Sequence, residues 1–258
     1  MPQADSDADF VHSLARGLTV IRAFGADAPH LTMSDVAKRT GLSRAAVRRF
    51  LHTLVELGYV GLEGRLYSLR PRILELGYAF LSSMSLWDLI QPALQDVSTR
   101  LRVTCSAGLL DGVEVVQVAR AGRTEQVIVS FGVGSRLPAF HTAMGRVLLA
   151  ALPPAERAQR LSRADLRAYT PHTLTDPTRL MAELDLVADQ GWAIVDREFE
   201  PGLIALGVPL RDRTGKAVAA VVTSARATRL DAASMRADHL PALLSACERL
   251  TPALHLPG

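Results

Sequence analysis

The sequence predicts a two-domain chain, with a small unit of three helices and a hairpin followed by a larger α+β domain built on an antiparallel sheet. Three observations predict it. The 258 residues exceed one modest domain at ~100–200 residues each. The basic charge is local: Leu31 to Arg72 holds eight Lys or Arg against three acidic residues, while the whole chain is only +3. Beyond residue 85, short apolar runs joined by tight glycine turns alternate with helical patterns, as in an α+β domain. A composition of 48% hydrophobic and 21% charged residues supports a real core and excludes wholesale disorder.

The first helix is expected from about Ser13 to Phe24, with Leu14, Leu18 and Ile21 at helical spacing and Gly25 ending it. Ser34 caps a second helix, Asp35 to Thr40, stopped by Gly41. Ser43 caps a third, Arg44 to Leu57, stopped by Gly58. Tyr59–Leu62 and Leu66–Leu69 form a hairpin about Glu63-Gly64. Pro71 suits the first turn of a linker helix, in which Ile73, Leu74, Leu76, Phe80 and Leu81 spread apolar surface over more than one face. Such a helix wants a partner, and a second copy of the chain is expected to supply it. Ser82-Ser83 breaks the linker, and Ser85-x-x-Asp88 caps the next helix, whose stripe runs from Leu86 to Leu101 with Pro92 inside.

The rest reads as Val103–Leu110 and Val113–Arg120 about Asp111-Gly112, a strand Gln126–Phe131, and a helix Thr142–Leu152 stopped by Pro153-Pro154. A helix Thr178–Gln190 follows, then strands Trp192–Phe199, Leu203–Arg211 and Lys216–Ser224, and a helix from Ala232 to Leu250 with Pro241 near a joint. The expected boundaries are 10–71, 72–84 for the linker, and 85–258. Apolar runs such as Val147–Leu152 fall far short of the ~20 residues of a membrane span. Met1 to Asp9 is polar and acidic, unlike a secretory signal, so a cytoplasmic location is expected.

The stretch LTMSDVAKRTGLSRAAVRRFL, Leu31 to Leu51, carries the chemistry. Ala37 is small where two steeply crossing helices touch, and Gly41 tolerates the turn between them. Val36, Leu42, Val47 and Phe50 fall where the pair packs on the first helix. On the third helix Val47, Phe50, Leu51, Leu54 and Leu57 share one sector. Arg44, Arg48 and His52 line up on another, with Arg49 beside them. One face is core and the other basic, and such a helix fits the major groove of DNA. Ser43 and Arg44 would approach phosphates and base edges first, and Arg65 at the hairpin tip would reach the neighbouring backbone. A charge run by itself is usually a solvated face. The helix-turn-helix spacing and the hairpin wing turn the reading toward DNA.

SLARGLTVIRAF, LSRAAVRRFLHTLVELGYV and LRPRILELGYAFL, with RLPAFHTAMGRVLLAAL and GWAIVDREFEPGLIALGVPLRD, resemble the IclR family of bacterial transcriptional regulators over nearly the whole chain. The resemblance implies a winged helix-turn-helix, a linker helix and a GAF-like effector domain, in a protein that dimerises and commonly pairs again into tetramers. The wording RLPA–TAMGRVLLA is most similar to the branch that controls protocatechuate and β-ketoadipate catabolism. It implies an effector pocket at Val129, Leu137, Ala143, Met144, Leu203, Ala205, Val222 and Ser224, with Arg136 a further candidate for a carboxylate or for an ion pair. Ala143 and Met144 open a helix and could offer backbone N–H groups to a small organic acid. Many members carry an acidic residue where this chain has Val195 and a cysteine where it has Ala205, which implies a more apolar pocket here.

Enzyme motifs fail on inspection. Gly132-Val-Gly134 lacks the third glycine of a dinucleotide loop, no GxSxG occurs, and the seven histidines lack HExxH spacing. Cys105 and Cys247 form no CxxC and read as buried, inert thiols. No metal or cofactor is expected. The competing reading is a small-molecule enzyme with a site near His141, Asp196 and Glu198, the carboxylates at 196, 198 and 200 alternating onto one strand face; a buried or pocket-edge histidine is the plainer reading of His141. An architectural DNA binder without ligand is disfavoured by the size of the second domain.

Overall fold

The computed structural model describes residues 10–25, 27–77, 86–122 and 131–254. Two compact units divide at residue 83. In the first, α1 (His12–Arg22), α2 (Met33–Thr40) and α3 (Arg44–Glu56) precede a hairpin of β1 (Val60–Glu63) and β2 (Leu66–Leu69). Val20, Phe24, Leu31, Val36, Val47, Leu51, Leu54 and Val60 form its core. Gly41 ends α2 at φ 69°, a conformation glycine adopts without strain. Leu31 pairs with Tyr67 in a backbone bridge that extends the hairpin by one residue on its β2 side.

Several expectations need correction here. Thr32, not Ser34, caps α2: its hydroxyl accepts from Asp35 N at 3.2 Å, and Asp35 Oδ2 accepts from Thr32 N at 2.9 Å. The hairpin turn is Gly64-Arg65, because Glu63 pairs with Leu66. Leu57 lies beyond the end of α3 and is exposed. Leu14 and Leu18 are at helical spacing but exposed, since α1 buries its C-terminal end through Val20. Beyond Pro71–Ile73, residues 74–77 are helical; Phe80, Leu81, Ser82-Ser83 and Ser85 lie outside the described residues.

The second unit is a three-layer sandwich. Its six strands are β3 (Thr104–Asp111), β4 (Glu114–Ala121), β5 (Arg136–Pro138), β6 (Ala193–Asp196), β7 (Leu203–Arg211) and β8 (Ala217–Arg226). They run antiparallel in the order β5-β4-β3-β8-β7-β6. One face packs on α4 (Leu86–Leu101) and on α8 (Leu240–Leu250), through Ile90, Leu94, Cys105, Ile204, Leu206, Leu243 and Cys247. The other packs on α5 (Ala143–Ala150) and α7 (Pro177–Gln190), through Met144, Val147, Leu180, Leu184, Val195 and Val222. Both thiols are buried, and burial raises each, Cys247 to about 12.

The second unit also departs from the sequence reading. Pro153-Pro154 stops α5 and starts another helix, α6 (Pro154–Leu161), with Pro153 at its cap. Strand β5 was not expected, and the strand read at Gln126–Phe131 falls largely outside the described residues. The β3–β4 turn is Gly112-Val113, since Asp111 pairs with Glu114. Strand β6 stops at Asp196, where Arg197 takes a φ of 59°. The C-terminal helix is interrupted by a π turn, Met235–His239, just ahead of Pro241. Among the described residues no helix is long and apolar enough to cross a membrane.

Candidate functional site

On the first unit, the Ser43 hydroxyl accepts from Ala46 N at 3.3 Å and fixes the start of α3. Arg44, Arg48, Arg49 and His52 are all exposed along one side of that helix. Among the described residues none of them forms an ion pair. Arg65 stands exposed in the hairpin turn. Two other basic residues of the stretch are committed to the fold. Arg39 donates to Ala23 O at 2.8 Å and pairs with Asp27, fastening α2 to the loop behind α1. Arg72 donates to Leu57 O at 3.0 Å and lies 5.5 Å from the Tyr59 ring centre. Charge counting could not separate these two from the outward-facing set; only their partners do.

On the second unit, a cavity of about 570 Å³ including its mouth lies between the start of α5 and the sheet. Leu137, Ala143, Met144, Leu203, Ala205, Val222 and Ser224 all line it. Val195, Ala205 and Ser224 are cross-strand neighbours on β6, β7 and β8, so the wall they form follows from the register. Val129 lies outside the described residues. Arg136 does not line this cavity; it is held at 2.7 Å by both Asp111 and Glu114. The sequence reading did not include Ser106, Gln117, Phe131, Thr142, Phe199 and Glu200, which also line it. Thr142 adjoins Ala143 and Glu200 lies near Leu203 in the chain, whereas Ser106 and Gln117 stand on β3 and β4, which only the folded sheet brings alongside.

Glycines set how closely α5 approaches. A Cβ on Gly108 would meet Met144 Sδ at 2.2 Å, and one on Gly207 would meet Ala143 O at 3.0 Å. One on Gly145 would strike Ala139 O at 2.1 Å. The Thr142 hydroxyl accepts from Gly145 N at 3.2 Å, leaving the first N–H groups of α5 without intrahelical acceptors beside the cavity. Phe131 and Phe199 supply aromatic walls, with ring centres 5.6 Å apart. Among the described residues no Lys or Arg lines the cavity.

The carboxylates of the enzyme reading are held elsewhere. Glu198 takes both guanidinium ends of buried Arg146, at 2.8 and 2.6 Å, and accepts from Leu174 N at 3.0 Å. Asp196 pairs with Arg197 at 2.9 Å. Because β6 ends at Asp196, residues 196, 198 and 200 do not share a strand face, and Glu200 alone of the three lines the cavity. His141 is fully buried at the cavity wall. Among the described residues no cluster could hold a metal ion.

Residues 13–63 match the IclR helix-turn-helix domain, and residues 78–251 match the C-terminal domain of bacterial IclR transcriptional regulators. The chain belongs to the IclR family. It is therefore a DNA-binding transcriptional regulator with an effector-binding domain. It is 44% identical over 245 residues to the Pca regulon regulatory protein of Pseudomonas putida, covering 95% of this chain and 84% of that one. A transcriptional regulator from Rhodococcus sp. RHA1 superposes with a TM-score of 0.83 at 42% identity, over 95% of this chain and 98% of that one. The inducer-binding domain of the Acinetobacter transcription factor PobR, a double mutant in complex with 3-hydroxybenzoic acid, matches at 29% identity and a TM-score of 0.61, over 65% of this chain and 98% of that one.

Proposed function

We propose that this regulator controls a catabolic operon for aromatic acids of the protocatechuate and β-ketoadipate type, and that it works in the cytoplasm as a homodimer or a tetramer without enzymatic activity. The observation that carries the DNA half is the exposed basic side of α3, which forms no ion pair among the described residues. Ser43, Arg44, Arg48, Arg49 and His52 enter the major groove, and Arg65 touches the neighbouring backbone. Residues 10–71 act as the DNA-binding domain, 72–84 as the linker and 85–258 as the sensor. Exposed Leu14 and Leu18 on α1, with Leu74 and Leu76 after the hairpin, supply apolar surface for a second copy.

The effector is a small organic acid in the α5 cavity, its carboxylate on the N–H groups of Ala143 and Met144 and its body against Leu137, Leu203, Ala205, Val222, Ser224 and Val129. The size and apolar lining of the cavity support this reading, as do the names of the Pseudomonas and Acinetobacter relatives. Fluorescence anisotropy on a fragment of the promoter beside its own gene, with and without protocatechuate or β-ketoadipate, tests both halves. Salt-sensitive binding that the acids alter supports the proposal; binding that neither acid alters overturns the effector.

A further inference from the structure

His141 sits on the turn just before α5 and is 0% exposed, yet neither ring nitrogen completes a hydrogen bond among the described residues, the Asp165 backbone giving it only a weak contact. Buried polar groups are nearly always satisfied, and one that is not carries its full desolvation penalty. The ring lines the α5 cavity and also a second, outer cavity of about 830 Å³, whose walls include Arg163, Arg167 and Tyr169. His141 is thus a wall between two spaces, held edge-on to Tyr169 at 5.5 Å, which packs at 4.9 Å on Phe199.

We propose that His141 reads the effector by hydrogen-bonding its uncharged oxygen, a ring hydroxyl or a keto group. This rests on the effector reading above and adds the group that sets specificity. Burial, and then the Arg146 charge, hold the imidazole below its ordinary pKa, while Glu198 and Asp165 oppose them more weakly. A neutral imidazole offers one donor and one acceptor. That suits a hydroxyl, which can take either role, or a keto oxygen, which accepts. Glu200 on the same wall disfavours a carboxylate there. The start of α5 provides the carboxylate with N–H groups instead.

The test uses the full-length protein and two matched pairs, 4-hydroxybenzoate with benzoate and β-ketoadipate with adipate. Calorimetry is run on wild type, His141→Leu and His141→Asn. In at least one pair, His141→Leu should weaken the oxygenated member about tenfold or more, leave its partner within about twofold, and be partly rescued by His141→Asn. Ligand-free His141→Leu should melt about as high as wild type, since leucine removes an unsatisfied group and replaces the edge contact with Tyr169 by apolar packing. Equal losses within both pairs, or a lower melting temperature without ligand, overturn the inference. Wild type that binds these acids but distinguishes the members of neither pair overturns it while sparing the acid-effector reading. Wild type that binds none of the four overturns both.

Discussion

Arg146 grips Glu198 through both ends of its guanidinium, at 2.8 and 2.6 Å, with only 2% of the arginine exposed. Its Nε donates to Phe140 O at 2.9 Å, so one cation ties the body of α5, the turn before it and the loop after β6. Removing Arg146 strands the Glu198 carboxylate, and removing the Glu198 charge leaves the buried cation only the longer contact with Glu183, at 3.8 Å. Arg146→Met or Glu198→Gln should each destabilise by about 3–5 kcal/mol, and Arg146→Met with Glu198→Leu by less than the two single losses summed. Denaturant midpoints of the four proteins check this.

On the DNA face, Arg44→Ala and Arg48→Ala should weaken operator binding with little change in melting temperature, because both side chains are exposed. If either reads a base, the loss is about 1–3 kcal/mol and one operator position relaxes. If either contacts phosphate only, the salt dependence falls by about one unit. Arg39→Ala should behave differently, lowering stability through its loop contacts. Unchanged affinity in both Arg44 and Arg48 variants at fixed salt refutes the assignment of α3.

Filling the cavity should silence the ligand and spare the DNA. Ala205→Leu adds bulk to the sheet wall of the cavity, far in sequence from α3. Acid binding should fall about tenfold or more, roughly 1.4 kcal/mol, while ligand-free operator binding stays at wild type. Calorimetry and anisotropy on the same preparation separate the two.

The glycines under α5 rank by what an added methyl would meet. Gly108→Ala presses on two side chains, the Met144 sulfur and a Val115 methyl at 2.7 Å, which can yield more readily than backbone, and should cost about 1–3 kcal/mol. Gly145→Ala presses on the Ala139 backbone, which cannot. It should cost more, despite alanine's better helix propensity. Thermal melts of the two variants that reverse this order contradict the packing described.

His141 and His239 both have pKa values held below 6.5, chiefly by burial. The unfolded chain binds protons there that the native chain refuses. Stability is therefore intact above about pH 6.5 and falls as the pH drops below it toward the lower native values. His141→Leu should remove part of that fall, which melting temperatures between pH 7.5 and about pH 5 would reveal.

Local chemistry was the legible part of this sequence. Ser43 before α3, Gly41 after α2 and the β7 limits could be read because each depends on neighbours within a few residues. Thr32 and Ser34 were both competent caps, and Asp35, three residues after Thr32, decides between them. Leu14 and Leu18 marked an apolar face, but periodicity does not say what covers it. The cavity was legible only in the residues that the family resemblance supplied. Ser106 and Gln117 join it through pairing of strands far apart in the chain, Phe199 comes from the loop after β6, and Glu198 is drawn from it by a buried arginine fifty-two residues earlier.

The sheet order sets a timetable for synthesis. Strands β3 and β8 lie side by side at its centre, with Cys105 paired to Thr223. A ribosome must add more than a hundred residues after β3 before that neighbour exists, whereas the elements of the first unit lie within the first seventy. Contacts so distant in the chain form late, and N-terminal units generally fold first during translation. A nascent chain therefore holds a finished DNA-binding unit before it has a sensor to govern it, and any product truncated ahead of β8 keeps the first without the second.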